Sequence, residues 1–160
     1  MSGARLFLYL LIGFWLFLSF EKVEAQVYIN LSGDPRPLIF NTPRDFDKGV
    51  FVQYQLWIGS TIPNAAIGWD LSLHATGDLS NGRNTIGIEN IHVRLINKVL
   101  MGMAPFYLST QPNYIVLNSR YPKFRNPVPL LLRFTAIGGP PFFVPSGAYT
   151  STLVFTLTED

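Results

Sequence analysis

Apolar and polar residues alternate with period two along most of this chain, and the alternation predicts strands. Val27, Ile29 and Leu31 alternate with Tyr28 and Asn30. Val50 to Ile58 is a run rich in Val, Phe, Tyr and Trp. Trp69, Leu71, Leu73 and Ala75 alternate with Asp70, Ser72, His74 and Thr76. Ile91, Val93 and Leu95 alternate with His92, Arg94 and Ile96. Val128, Leu130, Leu132, Phe134 and Ala136 alternate with Pro129, Leu131, Arg133 and Thr135. The last stretch, PSGAYTSTLVFTLTED, sets Tyr149, Ser151, Leu153, Phe155 and Leu157 against Thr150, Thr152, Val154, Thr156 and Thr158. Shorter apolar pieces lie at Pro37–Phe40, Phe106–Leu108 and Tyr114–Leu117.

Turn signals separate these pieces: Asn64-Ala65-Ala66, Gly77-Asp78, Asn81-Gly82 and Gly138-Gly139-Pro140-Pro141. The 12 prolines and 13 glycines fall at intervals too short for helices with an apolar face. The reading is all-β: about seven or eight strands in an immunoglobulin-like or pilin-like antiparallel sandwich, each sheet apolar on one face. A closed barrel is the other architecture that the pattern admits. The threonine face of the last strand suits a pleated surface in contact with water.

The first residues stand apart from this pattern. Arg5 precedes an apolar run, Leu6 to Phe20, and Val23 and Ala25 occupy the −3 and −1 positions of a cleavage site. That is the layout of a secretory signal peptide, and the run falls short of the ~20 residues that span a bilayer. Residues 1–25 are therefore expected to be a cleaved signal and residues 26–160 a single exported domain. Its destination would be the periplasm, the cell surface or the medium. Cysteine is absent, which excludes disulfides, thiolate metal sites and a lipid-anchored cysteine.

Charge narrows little. The net charge is +2, and losing Arg5 and Lys22 together with Glu21 and Glu24 leaves it there. Only Arg120-Tyr121-Pro122-Lys123-Phe124-Arg125 groups cations with aromatics, too short a stripe for a nucleic-acid surface. The histidines are His74 and His92, both on polar faces; if their strands were neighbours the pair would bind a metal only weakly. Asp45-Phe46-Asp47-Lys48-Gly49 lacks calcium-loop spacing and reads as a solvated turn before Val50. No nucleophilic triad or fixed carboxylate pair is indicated, so no enzyme, cofactor or metal is expected. Asn30-Leu31-Ser32 fits an N-glycosylation sequon. Trp57, Tyr54 and Tyr28 suit either core positions or stacking on sugar.

Several stretches together resemble a known group. They are Pro37-Leu38-Ile39-Phe40-Asn41, Asp45-Phe46-Asp47-Lys48-Gly49-Val50, Gly68-Trp69-Asp70-Leu71-Ser72-Leu73, Ile91-His92-Val93-Arg94-Leu95, and Pro145-Ser146-Gly147-Ala148-Tyr149-Thr150 before the closing strand. The order resembles small secreted bacterial β-sandwich proteins akin to fimbrial subunits, including the spore coat protein U-type archaic pilins. Such pilins usually carry a cysteine pair, which this chain lacks. The resemblance implies a fold short of one strand, completed by a partner's extended segment through β-strand addition. It implies Val27, Ile29 and Leu31 as donor positions, and Tyr149, Leu153, Phe155 and Leu157 as the wall of the receiving groove. The implied partners are further copies or other surface subunits, with a periplasmic chaperone. The implied role is a non-catalytic pilus or fimbria subunit, or an accessory, serving adhesion at a bacterial surface. Alternatively, Gln26–Ser32 pairs within its own chain, and the protein is a monomeric secreted binding module, for glycans among other ligands.

Overall fold

The computed structural model describes residues 27–32, 36–61, 68–97, 104–119 and 127–159. The expected signal peptide, the Asn64-Ala65-Ala66 turn and the Arg120–Arg125 cluster lie outside the described residues.

The described residues are mostly antiparallel strand. Seven strands have five residues or more: β1 (Val27–Ser32), β2 (Val50–Ser60), β3 (Trp69–Ala75), β6 (Ile91–Leu95), β8 (Asn113–Ser119), β9 (Val128–Ala136) and β10 (Leu153–Glu159). Three have two residues: β4 (Leu79–Ser80), β5 (Thr85–Ile86) and β7 (Phe106–Tyr107). One sheet has the order β1-β2-β9-β6-β7, a second β10-β3-β8, and β4-β5 form a hairpin. In that hairpin, Asn81 Oδ1 accepts from the Arg83 and Asn84 amides, and Gly82 takes the positive φ of 85° that the reversal needs.

The central pair explains its own burial. Along β9 every second side chain, from Val128 to Ala136, is buried, as period two dictates. Its partners in register are Leu56 with Leu130 and Ile58 with Val128, so the inward residues of neighbours meet. Trp69, Leu71 and Leu73 of β3 are buried in the same cluster, so one core is shared by both main sheets. Each such side chain removed from water contributes about 2 kcal/mol.

Two local results differ from the sequence expectation. Residues 43–48 are a short helix, α1 (Pro43–Lys48), not a solvated turn. Thr42 is its N-cap, Pro43 sits in its first turn, and Asp45 reaches back to the Asn41 and Thr42 amides at 2.9 and 2.8 Å. These bonds satisfy amides that a helix start otherwise leaves unpaired. Pro37–Phe40 carries no strand; it runs beside β2, where the Arg36 amide donates to the Tyr54 hydroxyl at 3.1 Å and that hydroxyl donates to the Arg36 carbonyl.

α1 is tied to the end of β9. The Gly139 amide donates to the Phe46 carbonyl at 2.6 Å. Gly49 has φ 76° and ψ 174°, and a Cβ there would lie 2.1 Å from the Ala136 carbonyl oxygen, so only glycine fits. No helix among the described residues is long and apolar enough to cross a membrane.

Candidate functional site

Among the described residues β10 is an edge strand, as are β1, β7 and β8. It pairs antiparallel with β3 from Leu153↔Ala75 to Glu159↔Trp69. Among the described residues it has no strand on its other side. Its approach is fixed by a bridge between Ser80 and Thr150 and by the Ser151 hydroxyl, which donates to the Gly77 carbonyl at 2.7 Å. At its far end the Glu159 carboxylate accepts from the Val27 amide, so the outer edges of β1 and β10 meet at one corner. Leu153, Phe155 and Leu157 are only half-buried. An unpaired edge with apolar side chains is a template for another strand.

Beside the start of β10 the interior is not filled. A cleft of about 770 Å³ opens there. Val52 and Tyr54 of β2, Phe134 of β9, and Leu79, Ile86 and Ile88 line it. Tyr149 and Leu153 line it as well. The end near α1 is aromatic: Phe40 stacks on Phe142 at 4.9 Å and lies 5.1 Å from Phe46. Among the described residues Arg36 is the one charged residue lining the cleft. Apolar walls and so few polar groups suit an apolar occupant.

The structure separates the interface residues expected from the sequence. Tyr149 precedes β10; its hydroxyl donates to the Pro145 carbonyl at 2.8 Å and the residue lines the cleft with Leu153. Phe155 and Leu157 do not line it and pack against the core. Val27, Ile29 and Leu31 lie in β1, paired with Ser60, Ile58 and Leu56 of the same chain. Val27 and Ile29 are half-buried, and Leu31 remains 44% exposed.

The remaining candidates divide likewise. His74 is in β3 and His92 in β6, on different sheets, so the conditional metal pair does not form. Among the described residues no three His, Asp or Glu side chains gather to hold an ion. Tyr54 points inward, edge-on to Phe134 at 5.5 Å, so it is a core residue. Trp57 and Tyr28 share the outer face of the five-stranded sheet, where the Tyr28 ring covers Gly59. Asp45 is held below its ordinary carboxyl value of 3.8, first by the Asn41 amide and then by that of Thr42, which is capping rather than catalytic chemistry. The cleft itself escaped the sequence reading, because it depends on which strands become neighbours.

No family model matches this chain, and neither a curated protein nor a solved structure does.

Proposed function

We propose that this protein is a non-catalytic, exported subunit or accessory of a surface filament, and that it assembles by adding a strand from a second copy alongside β10. The observation that carries the reading is the free edge of β10 next to an apolar cleft. Strand addition provides main-chain hydrogen bonds along the edge, and the cleft takes alternate side chains of the incoming segment. The sheet orders support it further. β1-β2-β9-β6 in one sheet and β10-β3 in the other follow the A-B-E-D and F-C orders of an immunoglobulin-like sandwich, whose remaining strand would stand beside β10.

The donor in this reading is β1. Among the described residues it is a peripheral strand paired on one side, it has the alternation of a donor, and its Leu31 is 44% exposed. Its six residues extend over about 20 Å, enough to run along the seven of β10. In the described arrangement it completes its own sheet, so assembly requires it to leave β2 and pair across the subunit boundary.

The absence of native cysteine makes a direct test simple. Ile29→Cys and Phe155→Cys are made as separate variants, mixed at high concentration and oxidised. Strand exchange predicts a mixed disulfide dimer that neither variant forms alone to the same extent. If the mixture stays monomeric while the double variant closes a loop within one chain, β1 belongs to its own sheet and the assembly reading fails.

A further inference from the structure

The outer face of the five-stranded sheet carries a second feature, separate from β10 and independent of assembly. Register sets Arg94 of β6 directly opposite Arg133 of β9. Residues directly opposite in an antiparallel pair have Cβ atoms about 5 Å apart, and like charges there are destabilising. Among the described residues of this face no carboxylate relieves them. The outward positions of β1, β2, β9, β6 and β7 hold no Asp or Glu.

The two arginines are held differently. Arg133 is preset: its guanidinium lies 4.5 Å over the Phe51 ring, and Gln53, its amide turned so that the oxygen faces the guanidinium, accepts from Nη2 at 2.8 Å. Arg94 is exposed beside it. Flat rings lie on both sides of the pair along the strand direction. On one side are Phe51, 58% exposed, and Tyr107, 56% exposed and 5.2 Å from the His92 ring. On the other is Trp57, four residues from Gln53 along β2 and therefore about 13 Å away.

We propose that this face binds an acidic sugar chain, with Arg94 and Arg133 together gripping one carboxylate or sulfate and the flanking rings stacking on neighbouring sugars. Guanidinium groups match planar or tetrahedral oxyanions by paired N–H donors. The anion also offsets the like-charge contact that folding leaves uncompensated. A peptide strand does not fit, because β2, β9 and β6 each have a strand on both sides and offer no free backbone. A second copy presenting the same face would oppose cations to cations. A nucleic acid would call for a longer basic stripe than two arginines.

The test is calorimetric titration of the full chain with three tetrasaccharides: galacturonate-based, heparin-derived and the neutral cellotetraose. The two acidic probes distinguish a carboxylated from a sulfated source. Binding of at least one, with a rise in melting temperature and no binding of cellotetraose, is the expected result. Arg94→Gln removes one charge from an exposed site and should weaken binding at least about tenfold. Arg83→Gln, in the β4–β5 turn, should leave affinity unchanged. The proposal is overturned if neither acidic probe binds, if cellotetraose binds as well, or if Arg83→Gln costs as much as Arg94→Gln. Tighter binding of a single-stranded oligonucleotide than of either acidic sugar would also overturn it.

Discussion

β9 and β10 have nearly the same sequence pattern and very different surroundings. VPLLLRFTA and LVFTLTE both alternate apolar with polar residues, and both contribute to one core. Yet β9 has β2 on one side and β6 on the other, and each of its inward side chains is buried. Among the described residues β10 has β3 alone, and its inward Leu153, Phe155 and Leu157 are half-buried. Alternation tells which face of a strand is apolar. How deeply that face is covered depends on neighbours and on the opposite sheet, which are long-range properties. The difference marks β9 as the framework of the molecule and leaves β10 with one unpaired edge among the described residues.

The strongest way to break this contrast is paired truncation. Leu132 in β9 is wholly buried, and Leu132→Ala should cost about 3–4 kcal/mol, mostly through the cavity it leaves. Phe155 is larger but partly covered, and Phe155→Ala should cost about 1–2 kcal/mol in the monomer, in proportion to the area it removes from the core. Urea midpoints of the two variants give the comparison. Equal losses would mean that β10 is as enclosed as β9, and its edge would cease to be a candidate interface.

A subtler test reads the backbone. In β9 successive amides point to β2 and β6 alternately, so nearly all are bonded and should exchange slowly with deuterium. In β10 only the amides facing β3 have a strand partner, so alternate residues between Leu153 and Glu159 should exchange faster by orders of magnitude. Uniform protection along β10 in dilute monomer would show a neighbour on its second side. Protection that appears only at high concentration would instead identify the neighbour as another copy.

The same contrast explains what the sequence could and could not reveal. The bounds of β9 and β3 are legible in the sequence, because five apolar positions at period two in β9 and four in β3 fix which residues face inward. β10 begins at Leu153 rather than Tyr149: the alternation continues through Ser151 and Thr152, but the ladder with β3 does not reach them. α1 was read as a turn because six residues carry no helical period; its signal was Thr42-Pro43-Arg44-Asp45, a capping pattern. The cleft and the arginine pair were beyond reach. One depends on Pro37–Phe40 and β10 flanking an interior space, the other on a register between β6 and β9 that brings Arg94 to Arg133.

The smallest expected effect concerns α1, which brings Phe46 to the aromatic end of the cleft. Asp45 accepts from the Asn41 and Thr42 amides more strongly as a carboxylate than as the neutral acid, and those bonds set its folded value below 3.8. A depressed folded value means that the charged form is favoured in the native state. Its stabilisation is therefore fully present above the unfolded value and is lost as pH falls through the folded one. Asp45→Asn keeps an acceptor but removes the charge, so it should lower the urea midpoint slightly at pH 7. That deficit should shrink below pH 3.8 and vanish once Asp45 itself is protonated. A deficit that persisted unchanged at the acid end would assign the loss to the shape of the cap rather than to its charge.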